Sequence, residues 1–221
     1  MSLEPITHRP ATPDLAAHTN SAIPPDHNLP PYQGIALADI LLVDSVAAAA
    51  EAFAALSVAD AVGLDTESRP TFTKGEPSSG PHLVQLATDA KAYLFTVDRL
   101  PSLDGLKAIL ESERILKVGF GLESDLARLK SKLGIEAKHV LDLSRALRSE
   151  GQTNLVGAKS AVARYFGRRL QKSRKASTSN WARRCLTEPQ MRYAADDAQV
   201  ALRVFRIARL PTDGAPREID Q

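Results

Sequence analysis

The sequence predicts an α/β fold with a mixed central sheet flanked by helices and a helical C-terminal half. Two observations carry this prediction. Residues 40–143 alternate short apolar runs with helical patterns, and beyond residue 143 every recognisable pattern is helical, which is typical of helices packing on a sheet. With 221 residues, 43% hydrophobic and 24% charged, the chain has the length and composition of a single globular core domain.

The first part of the predicted sheet lies within residues 40–97. A helix over Val46–Leu56 is rich in alanine, the best helix former, and Asp44 or Ser45 can cap it. A polar loop rich in proline and glycine, Arg69–Pro81, separates two pairs of strands, and a tight turn around Asp89 joins the second pair. The predicted strands are Ile40–Val43, Ala61–Thr66, Leu83–Ala87 and Ala92–Val97.

Helices dominate the pattern from residue 103 onward. Gly134 and Gly167 each follow a helix, where a left-handed glycine commonly ends one. Thr187 and Gln190 have capping-box spacing, and Pro189 falls in the first turn of the last helix, where its missing N–H costs little. The predicted elements are helix Leu103–Leu110, strand Ile115–Phe120, helix Glu123–Leu133, strand Val140–Leu143 and helices Leu155–Phe166 and Glu188–Ala208.

The ends of the chain differ from the rest in composition. Residues 1–34 hold seven of the 14 prolines and have no apolar periodicity, so we expect a flexible tail over 1–36, one domain over 37–211 and a short C-terminal tail over 212–221. No apolar run approaches the ~20 residues of a membrane span, which predicts no membrane partner. A single cysteine, Cys185, excludes an internal disulfide framework and suits the cytoplasm, or the nucleus if the source is eukaryotic.

The net charge of +2 conceals two opposite regions. Between Arg145 and Thr187 there are eleven basic residues and one acid, Glu150, so this stretch carries +10 and the remainder −8. A positive region of this length attracts polyanions such as nucleic acid.

Carboxylates occur at three informative places in the negative remainder. Asp65 and Glu67 end a buried strand, and their two-residue spacing places them on one face, where a cation could compensate their charge. Asp125 follows an apolar strand and a glycine turn that lacks the third glycine of a dinucleotide fingerprint, so no nucleotide cofactor is expected. Tyr193 and Asp197 are four residues apart on one helix face.

Together these three motifs resemble those of the DEDDy group of 3′–5′ exonucleases, which have the three-layer ribonuclease H-like fold. The segments Leu83-Val84-Gln85-Leu86, Lys172-Ser173, Ser179-Asn180-Trp181 and Tyr193-Ala194-Ala195 resemble the subgroup that contains ribonuclease D and the Werner-helicase exonuclease domain. The resemblance covers residues 38–210 approximately. It includes no helicase segment and no C-terminal helical nucleic-acid-binding module.

This resemblance implies a two-metal-ion phosphodiester hydrolase. Asp65, Glu67, Asp125 and Asp197 would bind two ions, and their oxygen donors suit Mg²⁺ or Mn²⁺ better than Zn²⁺. Tyr193 would orient the attacking water rather than act as a strong base. The implied products are nucleoside 5′-monophosphates released from a free 3′ end, single-stranded or recessed.

The basic stretch then supplies contacts to the substrate. Lys172, Arg174 and Lys175 are predicted to contact its backbone, and Leu83 and Phe72 are predicted to contact its terminal base. The long loop Arg69–Pro81 favours the Werner type, and DNA is the favoured substrate. Three alternatives stay open: a ribonuclease D-like exonuclease that trims RNA, a non-catalytic nucleic-acid-binding module, and an α/β enzyme of small phosphorylated substrates.

Overall fold

A computed structural model describes residues 28–71, 76, 78–149 and 153–210. Within them lies one six-stranded mixed sheet flanked by helices, which confirms the predicted fold class. Its strands are β1 (Ile40–Val43), β2 (Ala61–Glu67), β3 (Leu83–Ala87), β4 (Ala92–Thr96), β5 (Leu116–Gly119) and β6 (Val140–Asp142). The helices are α1 (Val46–Ser57), α2 (Asp104–Leu110), α3 (Glu123–Leu133), α4 (Leu143–Ala146), α5 (Ala158–Phe166), α6 (Arg174–Ser177) and α7 (Glu188–Ala208).

The strands are ordered β1-β4-β3-β2-β5-β6 across the sheet. β3 runs antiparallel to β2 and β4, whereas the other neighbouring pairs are parallel. Because β2 and β5 are parallel neighbours, their carboxyl ends meet at one edge of the sheet. The acids predicted at the end of β2 and just after β5 therefore approach the same place.

Helices cover both faces of the sheet and make three layers, which explains why the strands are continuously apolar. Alternate residues of β2 separate the faces. Val62 and Leu64 pack with α1, α2 and α3, while Ala61 packs with α5 and α7. By the same alternation Asp65 and Glu67 face α7.

Helix α7 lies directly on the backbone of β2. Ala194, Ala195 and Ala198 are completely buried at this contact, and their small side chains allow close approach. A Cβ added to Gly63 would lie 1.9 Å from the Ala198 carbonyl oxygen. This contact fixes the distance between the α7 side chains and Asp65 on β2.

Residues that the sequence predicts to cap or end helices do so in the structure. Gly134 (φ 65°) and Gly167 (φ 58°) are left-handed and end α3 and α5. The Ser45 side chain accepts the Ala48 N–H at the start of α1. Helix α5 begins at Ala158, later than predicted, because the residue before it is an extended glycine that serves as the N-cap. Among the described residues, no helix has the length and apolar character needed to cross a membrane.

The predicted N-terminal tail is described only from residue 28. This described end packs on the domain: the Tyr32 N–H donates to the Arg169 carbonyl (2.9 Å), and the Arg169 N–H donates to the Pro30 carbonyl (2.8 Å). The Ile35 N–H donates to Asp196 Oδ1 at 2.8 Å. Residues 1–27 and the predicted C-terminal tail, 212–221, lie outside the described residues.

Candidate active site

Three carboxylates converge where β2 ends beneath α7. Asp65, Glu67 and Asp197 each present an oxygen within 4.8 Å of the other two. Strand alternation directs the first two towards α7, and the contact at Gly63 places Asp197 above them. The sequence-predicted pair on β2 and the predicted acid of the last helix thus form one cluster, here called the acid cluster.

Burial makes the acid cluster costly to charge. Desolvation raises the pKa of Asp65 well above its ordinary value, and repulsion from Asp197 and Asp125 raises it further. Desolvation and the neighbouring Asp65 raise the pKa of Glu67 to about 9. A site with these properties binds protons or cations readily, since either relieves the repulsion.

Lys172 supplies one positive charge to the acid cluster. Its Nζ lies 2.7 Å from Asp197 Oδ1, and the two side chains are 32% and 8% exposed. Burial raises the pKa of Asp197, and Lys172 opposes that rise. The ammonium group also lies 5.8 Å from the ring centroid of Tyr193. The sequence predicts Lys172 as a backbone contact, and the structure places it against the carboxylates.

Tyr193 precedes Asp197 by one helical turn and borders the same cluster. Burial, followed by the charges of Asp197 and Glu67, raises the pKa of its hydroxyl above the ordinary value. The phenol therefore stays protonated at neutral pH and acts as a hydrogen-bond donor. Its ring lies 6.1 Å, centroid to centroid, from Trp181, which is buried and packs in the core.

Asp125 borders the acid cluster from the opposite layer. Thr66 alternates with Asp65 and faces α3, where its hydroxyl donates to Asp125 Oδ1 at 2.5 Å. Arg128 Nη1 lies 3.4 Å from the same oxygen. Burial raises the pKa of Asp125, and the Thr66 hydroxyl lowers it. Its charge reaches Asp65, although its oxygens are outside the group of three.

The predicted nucleic-acid contacts occupy different positions. Arg174 and Lys175 lie on the exposed helix α6 and have no acidic partner among the described residues. Leu83 is completely buried and packs with Trp181, which does not fit contact with a base. The register between β2 and β3 explains this burial. Leu83 pairs with Glu67, so its side chain lies on the sheet face that α7 covers. Phe72 lies outside the described residues.

Sequence reasoning missed three residues around the acid cluster: Thr66, Arg128 and Gln85. Gln85 pairs with Asp65 across β2 and β3, is completely buried, and has no hydrogen-bond partner for its amide among the described residues. Strand periodicity alone could not identify it, because the alternation within one strand does not give its register with the neighbouring strand.

The chain is similar to several characterised proteins. A family model described as 3′–5′ exonuclease matches residues 41–209. The mouse bifunctional 3′–5′ exonuclease/ATP-dependent helicase WRN is 28% identical over 153 residues, covering 68% of this chain and 11% of that protein. Human exonuclease 3′–5′ domain-containing protein 2 is 33% identical over 156 residues, covering 65% and 24%.

A solved structure shows the same similarity in three dimensions. The crystal structure of Escherichia coli RNase D, an exoribonuclease involved in structured RNA processing, superposes with a TM-score of 0.67 and 27% identity. The match covers 78% of this chain and 44% of that one. The chain thus spans less than half the length of each of these relatives.

Proposed function

Because the chain belongs to the 3′–5′ exonuclease family, we propose that it is a metal-dependent enzyme that removes nucleotides singly from the 3′ end of nucleic acid. The observation that carries this proposal is the convergence of Asp65, Glu67 and Asp197 within 4.8 Å. Adjacent to them are a lysine and a protonated tyrosine. Three partly buried acids this close together need cationic compensation, and the negative charge of a phosphodiester must also be neutralised during hydrolysis.

The donor set of the acid cluster suits Mg²⁺ or Mn²⁺. All three side chains offer carboxylate oxygens, which hard divalent cations prefer. Asp65, Glu67 and Asp197 would hold one ion, and Asp125, across β2, would help to hold a second. Two bound ions supply activation of the attacking water and neutralisation of charge on the departing 3′ oxygen.

The side chains around the cluster have separate tasks in this reaction. Tyr193, protonated at neutral pH, hydrogen-bonds the attacking water and orients it. Lys172 brings positive charge to the side of the cluster formed by Asp197, where it stabilises the phosphate oxygens. Water attack at phosphorus breaks the bond to the 3′ oxygen and releases a nucleoside 5′-monophosphate.

We propose DNA as the favoured substrate and RNA as the second candidate. The RNA candidate is supported by the similarity to E. coli RNase D, which is an exoribonuclease. Both sugars present the same phosphodiester to the acid cluster, so the substrate preference depends on contacts to the sugar rather than on the carboxylates.

A single assay tests the activity and the sugar preference. DNA and RNA oligonucleotides of identical sequence, labelled at the 5′ end, are incubated single-stranded or as recessed duplexes with Mg²⁺, Mn²⁺ or EDTA. We expect a ladder that shortens stepwise from the 3′ end in either metal and no products in EDTA. Internal cleavage, or cleavage that EDTA leaves unchanged, would contradict the proposal. Binding without shortening would support a non-catalytic module.

A further inference from the structure

A cavity of about 400 Å³ lies beside the acid cluster. Half of the residues that line it are cationic, and none is acidic. Its lining consists of Lys159, Arg169, Leu170, Gln171, Lys172 and Ser173. We refer to it as the basic cavity.

The charge of the basic cavity is largely uncompensated. Neither Lys159 nor Arg169 has an acidic partner within the part of the chain that the structure describes. The Nε–H of Arg169 is buried without a hydrogen-bond partner among those residues. Residues 153–187 contain no acid at all. A concave, positively charged surface of this kind concentrates anions.

Lys172 joins the basic cavity to the acid cluster. Its side chain lines the cavity, while its Nζ lies 2.7 Å from Asp197 Oδ1. A ligand that is bound at the carboxylates and extends past Lys172 would therefore enter the basic cavity directly.

From this juxtaposition we propose that the basic cavity binds a backbone phosphate of the nucleic acid on the 5′ side of the scissile bond. The inference rests on the proposed function. An enzyme that removes one nucleotide holds that nucleotide's single phosphate at the acid cluster, so a second phosphate site is filled by the remaining chain. Arg169 offers the forked donors that bind phosphate oxygens in pairs, and Lys159 offers a point charge.

Binding in EDTA tests the cavity independently of catalysis. The affinity of a fluorescent single-stranded 12-mer is measured by anisotropy for the wild type and for Lys159→Gln/Arg169→Gln. We expect about a tenfold loss of affinity, since charge-assisted contacts are lost, and a salt slope shallower by about 0.7, the amount for one phosphate contact on a single strand. An affinity and slope equal to those of the wild type would overturn the proposal.

Two variants keep this test specific. Lys132→Gln/Arg114→Gln removes the same charges from exposed positions on the α2–α3 side of the sheet, and we expect wild-type binding. Lys159→Gln alone changes one exposed side chain on α5, which avoids any effect on the segment around Arg169. It should still make the salt slope shallower, by less than the double variant does, and an unchanged slope in this folded variant would count against the cavity.

Kinetics then distinguish the upstream backbone from a free anion. The p-nitrophenyl ester of thymidine 5′-monophosphate has no nucleotide upstream, so Lys159→Gln/Arg169→Gln should raise KM for the 12-mer about tenfold more than KM for the ester. An equal rise for both substrates would overturn the proposal. So would inhibition of ester hydrolysis by inorganic phosphate in the wild type that disappears in the double variant, because that result assigns the cavity to free phosphate.

The two proposals fail in different ways. If the wild type hydrolyses neither substrate in Mg²⁺ or Mn²⁺, the proposed nuclease function is wrong. Oligonucleotide binding in EDTA still decides whether the basic cavity contacts a phosphate backbone.

Discussion

Lys172 Nζ lies 2.7 Å from the Asp197 carboxylate, at the point where the basic part of the chain meets the acid cluster. The small net charge of +2 is therefore the sum of two regions that touch. In our proposal the basic region attracts a polyanion, and the acidic region contains the carboxylates that suit divalent ions. Lys172 belongs to both.

Replacing Lys172 with methionine is expected to destabilise the protein in EDTA. The change leaves the nearly buried Asp197 without its cationic partner. We expect the free energy of unfolding to fall by about 2 kcal/mol, because the desolvation penalty of the remaining carboxylate is then uncompensated. Urea unfolding measures the change. Lys175→Met, an exposed lysine of the same segment, is the control, and equal stability of both variants would disprove the pairing.

Replacing Glu67 with glutamine is expected to stabilise the protein in EDTA while removing activity. The pKa of Glu67 is raised to about 9 in the folded state, against an ordinary value near 4.3. Such an acid contributes stability below its unfolded pKa and loses it as the pH rises through the folded pKa. The variant should therefore gain about 2 kcal/mol at pH 7.5 and almost nothing at pH 4.

Thermal unfolding of Glu67→Gln at several pH values measures this difference. Glu113→Gln, an exposed glutamate paired with Lys138, is the matched control and should show little change at any pH. A lower melting temperature for Glu67→Gln than for the wild type in EDTA at pH 7.5 would show that the acid cluster is not electrostatically strained.

Replacing Tyr193 with phenylalanine is expected to slow turnover without weakening substrate binding. The hydroxyl orients water in our proposal, so its loss should lower kcat about 10- to 100-fold, and the ring that packs near Trp181 is kept. Single-turnover hydrolysis and oligonucleotide affinity in EDTA separate the two effects. A large loss of affinity with unchanged kcat would instead assign Tyr193 to substrate binding.

Replacing Gly63 with alanine is expected to damage both stability and activity. A Cβ there would lie 1.9 Å from the Ala198 carbonyl oxygen, so α7 must move away from β2 and carry Asp197 away from Asp65. We expect a loss of about 2 kcal/mol and a fall in kcat. Gly157→Ala, where a Cβ meets nothing within 4 Å, is the control. Wild-type turnover in Gly63→Ala would mean that the site tolerates movement of α7.

The sequence predicted the elements well where local signals decide them. Continuous apolar runs specify strands covered on both faces, and glycines such as Gly134 specify helix ends through their left-handed backbone. Asp65 and Glu67 share one face of a strand, and Tyr193 and Asp197 share one face of a helix. Both placements follow from the periods of a strand and a helix alone. These periods are local, so they needed no tertiary information.

Features that depend on packing between distant segments could not be predicted. From its charge, Lys172 was predicted to contact the substrate backbone, because nothing in the neighbouring sequence shows that the segment after α5 turns back onto α7 and brings it to Asp197. Leu83 was expected near a base, but strand register places it under α7. Thr66 and Asp125 are separated in the sequence by β3, β4, α2 and β5, and only the parallel pairing of β2 with β5 brings them together.

The most direct test of the central claim is the rate of 3′-terminal nucleotide release from a 5′-labelled oligonucleotide in saturating Mg²⁺, for the wild type and for Asp65→Asn. Asp104→Asn, an exposed aspartate at the start of α2, is the matched control. We predict at least a hundredfold loss for Asp65→Asn, with wild-type rates for Asp104→Asn and no release by any variant in EDTA. Wild-type release by Asp65→Asn would contradict the assignment of catalysis to the acid cluster.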